Sequence, residues 1–306
     1  MATRHFTQLT DLTPGEVRHV LDVSHRLKAE LIQGTRRPFF AGRVLGLLFE
    51  KPSLRTRVSF EALIGQHGGQ ALYLGQDVGW GKREPIEDFV PVLTSYLDGL
   101  VIRANAQTLV DQAAKLSRCT VINGLTEKAH PCQALADLMT VEELCGGLER
   151  ARIAYIGDAN NVAHCLATIC AMLQVPIQIA SPYGYQFTRE FADSLNQIAG
   201  REIVLLTDDP VRAVSACNII YTDVWTSMGQ EAERHQRLEA FANFQVSERL
   251  WRHAAPDARF LHCLPARRGE EVAAEIIDGP ASAVVEQAAN RLHAQKGLLA
   301  WLWGVV

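Results

Sequence analysis

The sequence contains no long hydrophobic run, no basic tract and no internal repeat. A membrane-spanning helix needs roughly 20 consecutive apolar residues, and no segment approaches that length. The 306 residues carry a formal net charge of −4 with dispersed arginines, which gives no support for nucleic-acid binding. With 48% hydrophobic and 21% charged residues, the composition is typical of a globular protein that can hold two domains. We therefore expect no membrane and no nucleic-acid partner.

Cysteines are few and scattered. Seven are present, an odd number without any C-x-x-C pair, which favours reduced thiols over a disulfide framework. The first eight residues, Met-Ala-Thr-Arg-His-Phe-Thr-Gln, lack the apolar core of a signal peptide. Both features predict a cytoplasmic protein.

Short apolar runs alternate with helical patterns along the chain, and Gly146-Gly147 divides the alternation into two series. Such alternation is typical of parallel sheets covered by helices. The sequence therefore predicts an α/β fold of two domains, residues 1–145 and 146–284, followed by a long C-terminal helix within 285–306. The predicted strands are 43–49, 70–74, 99–103, 119–122, 152–156, 177–180, 202–206, 218–222 and 259–264.

Residues 51–61, Lys-Pro-Ser-Leu-Arg-Thr-Arg-Val-Ser-Phe-Glu, follow a predicted strand and open a helical pattern. Ser53 stands where an N-cap belongs, and Arg55 and Arg57 fall in or beside the first turn. Cations normally avoid a helix N-terminus, because the macrodipole already makes that end positive. Free backbone N–H groups, a hydroxyl and guanidinium groups at one helix start instead favour a bound phosphate. The alternative is a basic helix start that is solvated at the surface.

Polar residues follow several other predicted strands, and ligands of open α/β sheets bind at the carboxyl ends of the strands. The pattern predicts one cleft between the two domains, lined by cations from the first and by an acid and amides from the second. The alternatives are an ion-paired strand end for Arg103 and a loop histidine for His130. For Asp223 the alternative is a turn former, and for Cys263 a buried strand cysteine. The strand-end residues are Ser53, Arg103, His130, Asn160, Asn161, Asp223 and Cys263.

Four stretches resemble the aspartate/ornithine carbamoyltransferase family, and they occur in the family's order. They are Ser-Leu-Arg-Thr-Arg at 53–57, His-Pro-Cys-Gln at 130–133, Asp-Val-Trp-Thr-Ser-Met-Gly at 223–229 and His-Cys-Leu-Pro at 262–265. The last two are similar to the ornithine branch. The resemblance implies that the C-terminal helix crosses back to the first domain. It also implies a homotrimer in arginine metabolism that transfers a carbamoyl group from carbamoyl phosphate to the δ-amine of L-ornithine, without a cofactor.

The resemblance also assigns roles residue by residue. The first domain is expected to bind carbamoyl phosphate and the second to bind ornithine. The catalytic positions of the family match Arg103, His130 and Cys263. The residues implied to contact carbamoyl phosphate are Ser53, Leu54, Arg55, Thr56, Arg103, His130, Gln133, Cys263, Leu264 and Arg291. Those implied to contact ornithine are Asn161, Asp223, Ser227 and Met228.

Two positions depart from the family pattern. Leu54 replaces the usual threonine, which acts mostly through its backbone N–H. Gly79 replaces a glutamine or histidine that contacts the carbamoyl phosphate of a neighbouring subunit, and Trp80 or Lys82 is the expected substitute. Relatives that carbamoylate acylated ornithine carry a tryptophan in this loop, and a basic pair like the one after His-Cys-Leu-Pro-Ala. The alternatives are therefore a transferase for acylated ornithine or putrescine, or a non-catalytic carbamoyl-phosphate-binding paralogue.

A zinc site is the remaining alternative, since His130, Cys132, His262 and Cys263 are potential ligands. Adjacent strand residues point to opposite faces, so His262 and Cys263 are not expected to share a tetrahedral site. Cys132 is explained as a small apolar residue at a helix start. The sequence therefore predicts no metal.

Overall fold

The chain forms two compact units, each with one parallel sheet that is covered by helices. This arrangement confirms the predicted α/β fold class. One unit comprises Met1–Met139 with Asn290–Val306, and the other comprises Thr140–Ala289. Within the described part of the chain, no helix combines the length and the apolar character that crossing a bilayer requires. The computed structural model describes residues 3–80, 83–227 and 229–306.

The first unit contains four strands and the helices that cover them. The strands are β1 (Val44–Phe49), β2 (Gln70–Leu74), β3 (Gly99–Arg103) and β4 (Thr120–Leu125). The helices are α1 (Pro14–Ile32), α2 (Leu54–Gln66), α3 (Ile86–Thr94), α4 (Gln107–Leu116) and the start of α5 (Pro131–Cys145). The strands are ordered β2-β1-β3-β4 and all pairs are parallel.

The order of these strands places a switch point between β1 and β3. The chain moves outward from β1 to β2 on one side and from β3 to β4 on the other. Phe49 pairs with Arg103 in the β1–β3 ladder, so both strands end at the same edge of the sheet. Ligands of such sheets bind outside this edge at the switch point. The residues that follow β1 and β3 therefore hold the position expected for a ligand site.

The C-terminal helix α12 (Val284–Leu302) returns to the first unit, as predicted. It approaches α1 closely at Gly297, where an added Cβ would lie 2.9 Å from the Cα atom of Ser24. Lys28 Nζ donates to Asn290 Oδ1 at 2.8 Å, and the rings of Phe40 and Trp303 pack edge to face with centroids 5.2 Å apart. A side chain at position 297 would force the two helices apart.

The second unit repeats the design with five strands. They are β5 (Ile153–Ile156), β6 (Ile177–Ala180), β7 (Val204–Thr207), β8 (Ile219–Thr222) and β9 (Arg259–His262). Its further helices are α6 (Asn161–Met172), α7 (Arg189–Ala199), α8 (Pro210–Val214), α9 (Arg234–Phe241), α10 (Glu248–Trp251) and α11 (Ala274–Ile277). The strand order β7-β6-β5-β8-β9 puts the switch point between β5 and β8.

The second unit differs from the sequence prediction at helix α9, at strand β9 and at the four-residue helix α11, which was not predicted. Helix α9 was not predicted, because it is only eight residues long and mostly polar, and so shows little apolar periodicity. Its Phe241 is fully buried and stacks on Trp225, with ring centroids 5.7 Å apart. Strand β9 ends at His262, whereas the prediction extended it to residue 264. Cys263 therefore lies beyond the strand.

Candidate functional site

The start of α2 in the first unit is organised around three hydroxyl and guanidinium groups. Ser53 caps the helix: its Oγ accepts from the Thr56 N–H at 3.4 Å and donates to Thr56 Oγ1 at 3.0 Å. Arg291 Nη2 donates to the same Thr56 Oγ1 at 2.7 Å. Leu54 and Arg55 occupy the first turn between the cap and Thr56. Backbone N–H groups at a capped helix start remain available to an anion.

Arg57 does not belong to this group. Its Nε donates to Glu61 at 2.9 Å, and its guanidinium lies over the ring of Tyr73, 4.0 Å from the centroid. The sequence pattern suggested that both arginines of the first turn face one phosphate. Arg57 is instead engaged by Glu61 one turn further along the helix and by Tyr73 of the neighbouring strand, whereas the charge of Arg55 acts on Arg103 and His130.

Arg103 and His130 add two buried groups to the same electropositive region. Arg103 is 7% exposed, and its Nε is buried without a hydrogen-bond partner among the described residues. Burial lowers the pKa of Arg103 from its ordinary value, and the charge of Arg55 lowers it further. A buried guanidinium that faces a second cation is costly unless an anion binds there.

His130 precedes α5 and is also buried. Its pKa lies well below the ordinary value, first because of burial and then because of the positive charges of Arg291, Arg103 and Arg55. The imidazole is therefore neutral at physiological pH and carries one N–H donor. Three arginines and one neutral histidine thus form an electropositive region of the first unit that suits a small anion.

Gln133 and Cys132 lie in the first turn of α5, and they play different parts. Gln133 is 1% exposed, and its Nε2 donates to Asp137 at 2.9 Å. Cys132 is fully buried, and its Sγ donates to the carbonyl oxygen of Asn123 at 3.4 Å. The structure therefore places Cys132 in the core, as the sequence suggested, while Gln133 is held by an ionisable neighbour.

In the second unit, Asp223 follows β8 and is the centre of a polar cluster. Its Oδ2 accepts from Asn160 Nδ2 at 2.8 Å, and its Oδ1 accepts from the Cys263 thiol at 3.1 Å. Asn160 caps α6 through Oδ1, which accepts from Val162 N–H at 2.9 Å, and Tyr155 donates to the same oxygen at 3.4 Å. The carboxylate is thus fixed between a helix cap and the end of β9.

Asn160 is a positioning residue; the sequence analysis placed it among the strand-end residues but gave it no role of its own. The predicted ligand was Asn161, which is the first residue of α6 and is half-buried. The N-cap preference of asparagine was the available signal, since a residue that caps α6 directly after β5 must lie at the same edge as the residue after β8. The capping geometry leaves the Nδ2 group of Asn160 to orient Asp223.

The His-Cys-Leu-Pro segment is held by a buried pair that the sequence analysis did not identify. His262 Nδ1 accepts from the Leu264 N–H at 2.9 Å, so its Nε2 carries the proton and donates to Glu271 at 3.2 Å. Glu271 also accepts from the Arg267 N–H at 2.5 Å. Leu264 has φ +57°, an uncommon conformation for a branched residue. The His262–Glu271 pair therefore fixes the backbone that presents Cys263 and Leu264.

A buried ion pair holds the loop that carries the predicted ornithine ligands. Arg237 of α9 donates through Nη1 to Asp158 at 2.8 Å and to the carbonyl oxygen of Trp225 at 3.0 Å. Burial raises the pKa of Asp158 above its ordinary value, although Arg237 opposes this shift. Ser227 is half-buried, and its N–H donates to Gln230 at 3.0 Å. Met228 lies outside the described residues.

The loop that departs from the family pattern lies partly within the described residues. Gly79 has φ +69° and ends a short 3₁₀ turn over Gln76–Val78, a conformation that favours glycine. Trp80 is half-buried and packs against the core of its own unit, which includes Leu48, Val90 and Leu97. Lys82 lies outside the described residues. That Trp80 or Lys82 provides the contact to a neighbouring subunit which Gly79 lacks stays a prediction.

The zinc alternative needs one correction. Single ligand atoms of Asp223, His262 and Cys263 lie within 4.8 Å of one another, because Cys263 is beyond the end of β9 and strand alternation does not apply to it. The argument from opposite strand faces was therefore wrong. His262 is nevertheless a poor ligand, since one ring nitrogen accepts from Leu264 and the other faces Glu271. His130 and Cys132 are in the other unit.

Comparison with known proteins gives one consistent result over nearly the whole chain. Residues 4–143 match the profile "Aspartate/ornithine carbamoyltransferase, carbamoyl-P binding domain", and residues 149–302 match "Aspartate/ornithine carbamoyltransferase, Asp/Orn binding domain". Ornithine carbamoyltransferase of Bacillus subtilis is 51% identical over 294 residues, which cover 95% of this chain and 91% of the relative. The Caldicellulosiruptor saccharolyticus enzyme of that name is 46% identical, with 98% of each chain covered.

Solved structures agree with these sequence matches. Ornithine carbamoyltransferase from Pyrococcus furiosus superposes with a TM-score of 0.95 at 43% identity, covering 100% of this chain and 98% of that one. An anabolic ornithine carbamoyltransferase from Campylobacter jejuni gives a TM-score of 0.92 at 34% identity, covering 98% of this chain and 99% of that one.

Proposed function

This chain belongs to the aspartate/ornithine carbamoyltransferase family, and we propose that it transfers the carbamoyl group of carbamoyl phosphate to the δ-amine of L-ornithine. The products are L-citrulline and phosphate. The observation that carries this proposal is the cationic region of the first unit, where burial and Arg55 together depress the pKa of Arg103. Such a region is stabilised by a small dianion, and carbamoyl phosphate is one.

In this proposal the phosphate binds at the start of α2. Ser53 and Thr56 supply hydroxyl and N–H groups, the backbone N–H of Leu54 contributes to the same cradle, and Arg55 supplies a charge-assisted bond. Arg103 reaches both the phosphate and the carbonyl oxygen. Arg291 contributes a second guanidinium, and its bond to Thr56 supports this placement. Leu54 fits the role because only its backbone is required.

Ornithine binds in the second unit in this proposal. Asp223 pairs with the α-ammonium group, Asn161 and the backbone of Met228 bind the α-carboxylate, and Ser227 completes the pocket. The fixed orientation of the Asp223 carboxylate supports its assignment, because both oxygens already have defined donors. Cys263 donates its thiol proton to Asp223, so its sulfur lone pairs are presented as weak acceptors for the reacting δ-amine.

The reaction is an attack of the neutral δ-amine on the carbamoyl carbon. Negative charge develops on the carbonyl oxygen, where Arg103 and the N–H of neutral His130 stabilise it. The Leu264 carbonyl and Gln133 Oε1 accept from the carbamoyl –NH₂ and hold the carbonyl plane. Collapse of the tetrahedral intermediate breaks the bond between the carbamoyl carbon and the phosphate oxygen, and the departing phosphate, whose charge the arginines already balance, takes the proton that the attacking nitrogen loses. Arg103, His130 and Cys263 are the proposed catalytic residues.

We further propose a cytoplasmic homotrimer with a carbamoyl-phosphate-binding domain over 1–145, an ornithine-binding domain over 146–284 and a C-terminal helix within 285–306. Leu54 and Val58 lie one turn apart on α2 and are 77% and 49% exposed, which supports coverage of this face by a second copy. A heterologous contact between identical chains closes into a ring of three when each copy is rotated by about 120° relative to the next. Among the described residues none of the seven cysteines forms a disulfide, which supports a reducing compartment.

Two experiments test these proposals. Formation of the carbamoylated product and release of phosphate are measured with carbamoyl phosphate and a panel of amines: L-ornithine, N-acetyl-ornithine, N-succinyl-ornithine, putrescine and L-aspartate. We expect the highest kcat/KM with L-ornithine, and no turnover with any amine would contradict an enzymatic role. Sedimentation equilibrium should give three times the mass of one chain, and a fully active monomer would contradict the trimer.

A further inference from the structure

The amide of Gln133 has a defined orientation that the proposed reaction uses but does not explain. Gln133 is 1% exposed, and Asp137, one turn later on α5, is also 1% exposed. The two side chains are joined by a hydrogen bond of 2.9 Å from Gln133 Nε2 to Asp137 Oδ1. Residues four apart on a helix face the same side, so this contact follows directly from the spacing.

Because the partner of Gln133 is a carboxyl group, it determines whether the nitrogen or the oxygen of the amide faces Asp137. In the contact between them Gln133 Nε2 is the donor and the Asp137 carboxyl oxygen is the acceptor, so the –NH₂ end of the amide faces Asp137. The flipped amide would set its oxygen against the carboxylate oxygen, with no proton between them. Because the amide is planar and its two polar atoms diverge, Oε1 must point away from Asp137.

That oxygen is a buried acceptor. Gln133 Oε1 has no hydrogen-bond partner among the described residues. A buried carbonyl oxygen without a donor is costly, so a ligand that brings an N–H to this position is favoured over one that brings a methyl group. Gln133 lies in the first turn of α5, next to His130, where the carbamoyl end of the ligand is proposed to bind.

We propose that Asp137 is a positioning residue that fixes the Gln133 amide with its oxygen towards the ligand, so that the site selects a carbamoyl group over an isosteric acyl group. Asp137 itself touches no substrate. The inference deepens the proposed function and rests on its assignment of carbamoyl phosphate to the first unit. Without the carboxylate, the amide can rotate and offer its –NH₂ to the ligand, and the discrimination between –NH₂ and –CH₃ disappears.

Binding of three stable ligands, measured by calorimetry without ornithine, tests this selection. Phosphonoacetamide carries the –NH₂ group, 2-oxopropylphosphonate replaces it by a methyl group, and inorganic phosphate lacks the carbonyl altogether. In the wild type we expect phosphonoacetamide to bind about tenfold more tightly than 2-oxopropylphosphonate. Its –NH₂ group donates a buried hydrogen bond to Gln133 Oε1, whereas the methyl ketone leaves that oxygen without a donor. Inorganic phosphate reports the anion cradle alone.

Asp137→Asn is the main variant, because the asparagine amide can accept as well as donate and so no longer dictates the orientation of Gln133. We expect the preference for phosphonoacetamide to fall to about twofold or less. The affinity for inorganic phosphate should stay within about twofold of the wild type, since the anion cradle lies on other elements. Glu143→Gln, an exposed carboxylate on the same helix, is the matched control and should change neither quantity. Should Asp137→Asn fail to fold, Asp137→Ser carries the same expectation.

A double-mutant cycle distinguishes a role of Asp137 in orienting the Gln133 amide from a general role in stabilising the fold. Gln133→Met should abolish the preference by itself, and adding Asp137→Asn to it should change the ratio no further. A wild-type ratio in folded Asp137→Asn would overturn the proposal, as would an equal weakening of all three ligands. If the wild type binds phosphonoacetamide selectively but forms no citrulline, the proposed function fails while the positioning role stands. If it forms citrulline and the Asp137→Asn ratio is unchanged, only the positioning role fails.

Discussion

Arg291 Nη2 donates a 2.7 Å hydrogen bond to Thr56 Oγ1, a residue 235 positions earlier in the chain. Thr56 is fully buried in the first turn of α2, and Arg291 is 3% exposed on α12. The hydroxyl that completes the Ser53 cap is therefore also the anchor of an arginine from the C-terminal helix. This contact ties the return of α12 to the geometry of the phosphate loop, and it motivates the first prediction.

Thr56→Val should raise the KM for carbamoyl phosphate about tenfold and lower the free energy of unfolding by about 1–3 kcal/mol, because it removes the acceptor of a buried charged donor. Thr56→Ser keeps the hydroxyl and is the control. Steady-state kinetics and urea unfolding measure the two effects. An unchanged KM in Thr56→Val would show that the Arg291 contact does not shape the anion site.

Arg55→Ala should lower kcat/KM by about 30- to 1,000-fold, because a charge-assisted bond to the phosphate in a dehydrated site contributes about 2–4 kcal/mol. Arg57→Ala is the matched control two residues away. Arg57 is engaged by Glu61 and Tyr73, so its loss should change kcat/KM by less than about threefold. A variant of Arg55 that keeps more than half of the wild-type value would remove it from the phosphate cradle.

Asp223→Asn should raise the KM for ornithine far more than it changes the affinity for phosphate, because it removes the charge that pairs with the α-ammonium group. Asp209→Asn is the control: Asp209 caps α8 through hydrogen bonds that asparagine also accepts. Ornithine kinetics and phosphate calorimetry give the two quantities. Equal weakening of both ligands would argue that Asp223 supports the fold rather than the amino acid.

The value of kcat/KM for ornithine should rise between pH 6 and pH 8. The δ-ammonium group has a solution pKa of about 10.4, and only its neutral form attacks. The pKa of His130 lies well below its ordinary value, so this histidine is already neutral over most of the range. The rise therefore belongs to the amine. A flat profile would contradict an amine nucleophile.

Lys296→Met should stabilise the protein at pH 7, and the gain should shrink at pH 10. Burial, with a smaller contribution from Arg36, lowers the pKa of Lys296 from 10.5 to about 8. Between these values the unfolded chain binds the proton more tightly than the folded one, so Lys296 destabilises the fold below pH 8 and ceases to do so as the pH rises towards 10.5.

Thermal unfolding at both pH values measures this difference. Lys115→Met, on the exposed side of α4, is the control and should show no pH-dependent gain. The Nζ group of Lys296 donates to Gln66 at 3.0 Å. The variant loses this hydrogen bond, which reduces the gain in stability. A destabilised Lys296→Met at pH 7 would show that this bond outweighs the burial of the charge.

Local chemistry in the sequence was sufficient for several elements of the site. The preference of serine for an N-cap predicted Ser53 at the start of α2, and the α/β alternation predicted two parallel sheets with polar residues at the strand ends. These features depend on periodicity and on the residue that follows each strand. Both are properties of short segments, so they can be read without knowledge of the rest of the chain.

Only the tertiary structure determined the pairings between residues that are distant in sequence or that compete for one partner. The sequence pattern at the start of α2 could not distinguish Arg55 from Arg57, because only the folded structure shows that Arg57 contacts Glu61 and Tyr73. It did not reveal that Asn160 orients Asp223, nor that Glu271 and His262 fix the backbone at Leu264. The hydrogen-bond partners of these side chains depend on which strand ends lie next to each other at the edge of a sheet. The order of the strands is a property of the folded sheet.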